Sequence, residues 1–165
     1  MVYDPLRALR VLDQEGVRYV VIGGVAGRLW GSPTMTNDTD VCCAWDRLNL
    51  DRVARALVSL GATLRGVDQD VPLQLDARML SNGQIFTFAT DAGGLDILAA
   101  PAGIVGFDEL ERNAVSFDLG DNMVVRVCAL DDLIRMKRAA GRPKDRIELE
   151  VLGAVREERN REPEI

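Results

Sequence analysis

The sequence predicts an α+β (or α/β) domain: a mixed β-sheet flanked by helices, with a helix pair closing the chain. Three observations carry that prediction. An amphipathic helical stripe opens the chain, a β-branched run closed by paired glycines follows, and short β-rich and helical segments interleave thereafter.

Residues 4–15 (DPLRALRVLDQE) place apolar side chains at 6, 9 and 12, with 11 beside them. Asp4 suits an N-cap, Pro5 the first helical position and Gly16 a stop. VRYVVIGG then reads as a buried strand ended by Gly23 and Gly24, 25–31 as a short helix and SPTMTN as a loop. TDVCCAW (39–45) reads as a strand, and Asn49 starts a helix with Val53, Ala56, Leu57 and Leu60 on one face. The 71–100 region reads as β-structure. PLQLDARML and QIFTFAT form hairpin arms around Ser81-Asn82-Gly83, because Asn-Gly supplies the backbone of a tight turn, and LDILAAP is a further strand. AVSFDL and MVVRVCAL flank Gly120-Asp121-Asn122, and helices at 130–140 and 143–158 are split by Gly141 and Pro143. This organisation is expected to be one domain over 1–165, with a core at 17–128, C-terminal helices at 129–158 and an acidic tail at 159–165.

Composition narrows the chemistry. There is no histidine, which removes Ser-His-Asp and Cys-His catalysis and any histidine general base. Proton transfer or metal binding falls to the 26 carboxylates. Cys42, Cys43 and Cys128 have no metal-ligand spacing and read as core thiols. No apolar run reaches the ~18 residues of a membrane span, and MVYDPLRALR has no signal-like core, so a cytoplasmic protein without membrane contact is expected. The net charge is −6, a poor match to a sequence-independent nucleic-acid binder. Yet residues 135–146 (RMKRAAGRPKDR) hold six basic residues, including both lysines of the chain, against one acid. A local basic patch on an acidic body suits a compact anion such as a nucleoside triphosphate.

Asp38 and Asp40 lie two residues apart at the start of a strand and therefore leave one face. Such like charges repel unless a cation holds them, although a solvated turn is the plainer reading of the motif alone. Asp96 is the single acid in the apolar run LDILAA, where an unpaired buried carboxylate is costly. Three carboxylates from two strands, without histidine, suit hard cations such as Mg²⁺ or Mn²⁺. Two such ions can clamp a phosphoryl displacement. Lys137 follows Leu133 and Ile134 on the inward stripe of its helix, where it either snorkels or reaches an anion. In the last helix Ile147, Val151, Leu152 and Val155 are expected to face inward, bordered by Lys144 and Glu148 as an i,i+4 pair, with Asp145 alongside. Trp30 and Trp45 read as core or cleft-wall aromatics. Asp68, Asp70, Asp131 and Asp132 read as turn and cap residues.

Gly23-Gly24, then Asp38-x-Asp40, then Asp96 on a separate strand resembles the nucleotidyltransferase superfamily with a polymerase-β-like fold. The 137–145 stretch, KRAAGRPKD, resembles the ending of small bacterial members, the AbiEii/MenT toxin group and the lincosamide-type antibiotic nucleotidyltransferases. The resemblance implies a minimal nucleotidyltransferase fold. It also implies transfer of NMP from an NTP to an acceptor RNA, protein or small molecule, with a cognate antitoxin as partner in the toxin setting. Asp38 and Asp40 would bind the metals. Asp96 would complete the second metal site and help deprotonate the acceptor. Gly23 and Gly24 would cradle phosphates, with Ser32, Thr34 or Thr36 supplying the hydroxyl that Gly24 lacks. Lys137 would be catalytic, and Lys144 and Asp145 would belong to the nucleotide site. An antibiotic-modifying enzyme and a non-catalytic nucleotide- or partner-binding module are the alternatives.

Overall fold

The computed structural model describes residues 2–68 and 72–162; the expectations for Asp70 and for the last three residues of the acidic tail lie outside them. Seven strands form one mixed sheet. At its centre β1 (Tyr19–Ile22) and β2 (Asp38–Cys43) are antiparallel, with β5 (Gly93–Leu98) parallel to β2 and β7 (Val124–Val127) parallel to β1. Beyond β5 lie β4 (Ile85–Thr90) and the two-residue β3 (Thr63–Leu64), and beyond β7 lies β6 (Val115–Asp118). The order is β3-β4-β5-β2-β1-β7-β6. All four residues of β1 are buried, as a continuous apolar run in a covered central strand should be.

Helices α1 (Pro5–Gln14), α3 (Arg47–Ser59) and α4 (Ala77–Ser81) pack in one chain of contacts. Helices α2 (Gly23–Trp30), α6 (Leu130–Ala140) and α7 (Pro143–Arg161) pack in another, and α5 (Phe107–Asn113) lies against β1. The caps follow the sequence. Asp4 accepts from the Arg7 amide at 3.0 Å, Asp46 from the Asn49 amide at 3.0 Å and Asp76 from the Met79 amide at 2.8 Å. The core includes Leu9, Leu12, Leu57, Phe88, Leu95 and Leu152, each fully buried and each worth about 1.5–3 kcal/mol of transfer free energy. Cys42, Cys43 and Cys128 are buried and free, and Trp45 stacks on Phe86. None of the described helices is long and apolar enough to cross a membrane.

Several local expectations are corrected. Gly23 and Gly24 do not end β1; they open α2. The helix expected from Asn49 begins two residues earlier because Asp46 is its cap, and Asn49 turns inward to accept from the Arg18 amide at 2.8 Å. The Ser81-Asn82-Gly83 hairpin does not form. The end of its first arm is the short helix α4, and Asn82 is a right-handed C-cap. The hairpin partner of β4 is β5, through a turn in which the Thr90 hydroxyl accepts from the Ala92 amide at 3.0 Å. Leu6 is exposed, the α1 stripe being Ala8, Leu9 and Leu12. Helix α5 was not anticipated. Asp131 and Asp132 do not cap α6, whose N-cap is Ala129. Asp132 is buried and accepts from Asn113 at 3.2 Å.

At the N-terminus, the Tyr3 hydroxyl donates to the Asp38 carbonyl at 3.1 Å, and the Asp4 amide donates to the Ala92 carbonyl at 3.0 Å.

Candidate active site

Strand register builds the acidic centre. Asp40 stands opposite Ile22 on β1 and opposite Asp96 on β5, while Asp38 stands opposite Gly94. Directly opposed residues on neighbouring strands share a face, and period two places Asp38 on that same face. Burial pushes the Asp40 carboxyl up to about 7; the hydrogen bond and charge of Asp96 and the charge of Asp38 add to the rise, and Lys137 opposes it. Asp96 Oδ1 is buried and has no hydrogen-bond partner. Asp38 is half-exposed, with Oδ1 accepting from Arg65 Nη2 at 2.7 Å.

Glycines shape the floor. Gly23 has φ +65, and a Cβ there would lie 2.1 Å from Asp40 Oδ2. A Cβ on Gly24 would lie 2.7 Å from the Thr36 Cβ. Thr36 is held in turn by its hydroxyl, which donates to the Asp38 carbonyl at 3.1 Å. A Cβ on Gly27 would lie 2.9 Å from Glu148 Oε1. The bare face of α2 is therefore filled by Asp40, Thr36 and Glu148 from three different segments. No side chain caps α2, so the first-turn amides stay open beside the acids, where backbone N–H groups can meet an anion.

The α6–α7 corner supplies the cations. Gly141, at φ +64, ends α6, and Pro143 starts α7. Asp145 is buried and accepts from Arg142 three times: from the amide at 3.1 Å, from Nε at 2.7 Å and from Nη2 at 3.2 Å. Lys137 Nζ lies 3.6 Å from Asp145 Oδ1, with the lysine side chain only 15% exposed. Burial alone would raise the Asp145 carboxyl, but Arg142 and then Lys137 overcome it and hold it below the usual carboxylate range. This contact fixes the phase of α7. Asp145, Glu148 and Leu152 face inward at i, i+3 and i+7, so Ile147 is exposed, contrary to the sequence expectation. Lys144 is exposed at the rim and makes no pair with Glu148. That acid is buried, and its Oε2 has no partner.

Two recesses meet at this centre. A polar one of about 170 Å³ is bounded by Gly24, Thr34, Thr36, Asp38, Lys144 and Glu148. A second, of about 380 Å³, is walled by Ile22, Leu98, Pro101, Leu133 and Met136. Asp40, Asp96, Lys137 and Arg142 border both. The structure thus brings together Asp38, Asp40, Asp96, Gly23, Gly24, Thr36, Lys137 and Asp145 and leaves Lys144 at the edge. Sequence reasoning missed Arg65, Arg142 and Glu148. The cap position before Pro143 was a signal for Arg142, and the i,i+3 spacing from Asp145 was one for Glu148. Arg65 left none, since it follows β3 and two strands, β4 and β5, lie between it and Asp38 in the sheet.

The donor set suits a hard divalent ion. It is all oxygen, it includes an orphaned buried oxygen on Asp96, and Asp40 is raised chiefly by burial and further by the neighbouring acids Asp96 and Asp38, whose charge a cation would offset. Among the described residues no three acids or thiols are grouped as they would be around a metal ion, and Asp38 Oδ1 is engaged by Arg65.

No protein-family model matches the chain, and no curated protein does. Among solved structures, the chain is similar to the lincosamide antibiotic adenylyltransferase LnuA in its lincomycin-bound crystal structure. The TM-score is 0.62 at 12% identity, over 91% of this chain and 94% of that one. The fold is that of a nucleotidyltransferase. TM1012 of Thermotoga maritima, a candidate nucleotidyltransferase, is also similar, with a TM-score of 0.55 at 16% identity over 87% of this chain and 86% of that one. In this nucleotidyltransferase fold the acidic centre sits on the central pair β2–β5, between α2 and the α6–α7 corner.

Proposed function

We propose that the protein is a metal-dependent nucleotidyltransferase that moves NMP from an NTP to an acceptor hydroxyl. The observation that carries the reading is the opposition of Asp40 and Asp96, with an unpartnered buried oxygen between two recesses of different polarity. Asp40 and Asp96, joined by Asp38 when Arg65 releases it, would hold Mg²⁺ or Mn²⁺. When bound, the ion supplies positive charge to the triphosphate oxygens and eases ionisation of the acceptor hydroxyl.

The triphosphate tail fits the polar recess, against the open amides of α2 and the Thr36 hydroxyl. In-line displacement places the acceptor opposite the leaving pyrophosphate, on the side of the apolar-walled recess. The acceptor oxygen bonds to the α-phosphorus, the bond to the bridging oxygen breaks, and the hydroxyl proton passes to Asp96 Oδ1. Charge that builds on the pyrophosphate is met by Lys137, itself aimed by Asp145. That acid acts here through Lys137 and Arg142 and not by touching nucleotide.

The 380 Å³ recess and the acidic net charge favour a small hydroxyl-bearing acceptor. LnuA, by its name an adenylyltransferase of lincosamide antibiotics, supports the same choice. A tRNA or protein acceptor in a toxin–antitoxin pair is the second reading. It is favoured by the Lys137–Asp145 contact within the stretch that resembles the toxin group. The test is incubation with α-labelled NTPs, Mg²⁺ or Mn²⁺ and parallel acceptor sets: lincosamides and aminoglycosides, total tRNA, and a cell-protein extract. Label appearing in the first set, and lost with a folded Asp40→Asn variant, is the expected result. Label only in tRNA or protein selects the second reading. No label in any set, with no metal-dependent NTP binding, overturns both in favour of the non-catalytic module.

A further inference from the structure

We propose that Arg65 stands in for the divalent ion at Asp38 while the site is free of nucleotide, and passes to the triphosphate when the ion arrives. The inference rests on the nucleotidyl-transfer reading above, and goes beyond it in giving a nucleotide-binding role to a residue outside the acidic motif and the basic corner.

Four observations carry it. Arg65 Nη2 lies 2.7 Å from Asp38 Oδ1, which gives Asp38 a cation partner on the face that holds Asp40 and Asp96. The pair occupies space cleared for it. A Cβ on Gly94, the cross-strand partner of Asp38, would lie 1.8 Å from Arg65 Nη2 and 2.0 Å from Asp38 Oδ1. A glycine inside a strand weakens the strand and marks a place where another group must approach closely. The pair is also easily broken, since its side chains are 41% and 40% exposed and exposed ion pairs contribute little. Finally, the base of the arginine is fixed. Its amide donates to the Thr87 carbonyl at 3.0 Å, so only the side chain has to turn.

Charge supplies the direction of the exchange. Asp38 borders the polar recess, so a guanidinium released from it remains at the rim of that recess. A divalent ion on Asp38 repels the guanidinium, and the triphosphate beside it is the anion within reach. A planar donor fork then gains charge-assisted hydrogen bonds to phosphate oxygens. A pair made only for stability would need neither the bare Gly94 nor a place on the acidic face.

The test is calorimetric titration of the full chain and of Arg65→Gln and Arg65→Lys, with Mn²⁺ alone and then with α,β-methylene-ATP in the presence of Mn²⁺. Removing an exposed competitor should tighten Mn²⁺ binding by about two- to fivefold in Arg65→Gln. Loss of a charge-assisted phosphate contact should weaken nucleotide binding about tenfold in the same variant. Arg65→Lys should fall between Arg65→Gln and the parent in both titrations. Mn²⁺ binding that is unchanged or weaker in Arg65→Gln overturns the stand-in role, and unchanged nucleotide affinity overturns the hand-over. If the parent protein itself takes up neither Mn²⁺ nor nucleotide, the nucleotidyl-transfer reading has failed, and that failure is visible without any variant.

Discussion

Asp40 fills the space that a side chain on Gly23 would need: a methyl group on the glycine would lie 2.1 Å from the aspartate Oδ2. Gly23 also has φ +65, where an L side chain is strained. Gly23→Ala should therefore cost about 1–3 kcal/mol from backbone strain and push the Asp40 carboxylate off its position. The expected outcome is a lowered melting temperature together with loss of Mn²⁺ binding by calorimetry. A variant that melts lower and still binds Mn²⁺ normally would show that Asp40 tolerates displacement.

The Asp40 carboxyl, raised to about 7 chiefly by burial, sets a pH dependence for the metal-free protein. Its unfolded value is about 3.9. Between the two, the folded state keeps a proton that the unfolded state has lost, so stability falls as pH rises. The stabilising contribution is fully present below about pH 4, is lost as pH rises through about 7, and the profile levels off above. Asp40→Asn cannot lose a proton. It should melt higher than the parent at about pH 8.5 and nearly with it at about pH 4. Added Mn²⁺ should raise the melting temperature of the parent and not of the variant. Parallel pH profiles for the two proteins would refute the assignment.

Lys137→Met keeps the aliphatic stem and removes the charge, so packing should survive. If Lys137 meets charge that builds only as pyrophosphate leaves, turnover should fall about 10²–10³-fold, with a much smaller change in nucleotide affinity. Steady-state transfer and equilibrium binding of the same NTP separate the two quantities. Equal losses in both would make Lys137 a ground-state phosphate ligand.

Asp145 joins the first turn of α7 to Lys137 and Arg142. Asp145→Ala leaves a largely buried ammonium without its carboxylate, and should cost about 3 kcal/mol in urea unfolding at neutral pH. Because the folded carboxyl is held low, the contribution is present above the unfolded value of about 3.9 and is lost as pH falls through the folded value. The gap between parent and variant should thus narrow in acid. A gap that stays constant down to about pH 3 would point to packing and not charge.

Much of the acidic centre was legible because strand periodicity is rigid. Asp38 and Asp40 had to share a face, and an acid in the run LDILAA had to find a reason for its burial; the register Asp40 to Asp96 supplied it. The hairpin at Asn82-Gly83 failed for a local reason. Asp76 caps a short helix upstream, so the Asn-Gly pair serves that helix's C-terminus. The phase of α7 departs from its apolar pattern because the paired Asp145 is the residue turned inward, which leaves Ile147 in solvent. Arg65 was beyond reach, since its meeting with Asp38 depends on the pairing of β3 with β4, β4 with β5 and β5 with β2.

The three glycines on one side of α2 also bear on the order in which the molecule assembles. An eight-residue helix with Gly23, Gly24 and Gly27, and no capping side chain, has almost no tendency to form alone. Its bare face is complementary to Asp40, Thr36 and Glu148, which arrive on β2, on the loop before it and on α7. Helix α2 should therefore be among the last elements to consolidate. Its amides should exchange with deuterium through openings of lower free energy than those of β1 and β2 beside it. The helix nearest the acidic centre would then be among the first to unravel, and a ligand seated against it would be read sensitively in its exchange rates.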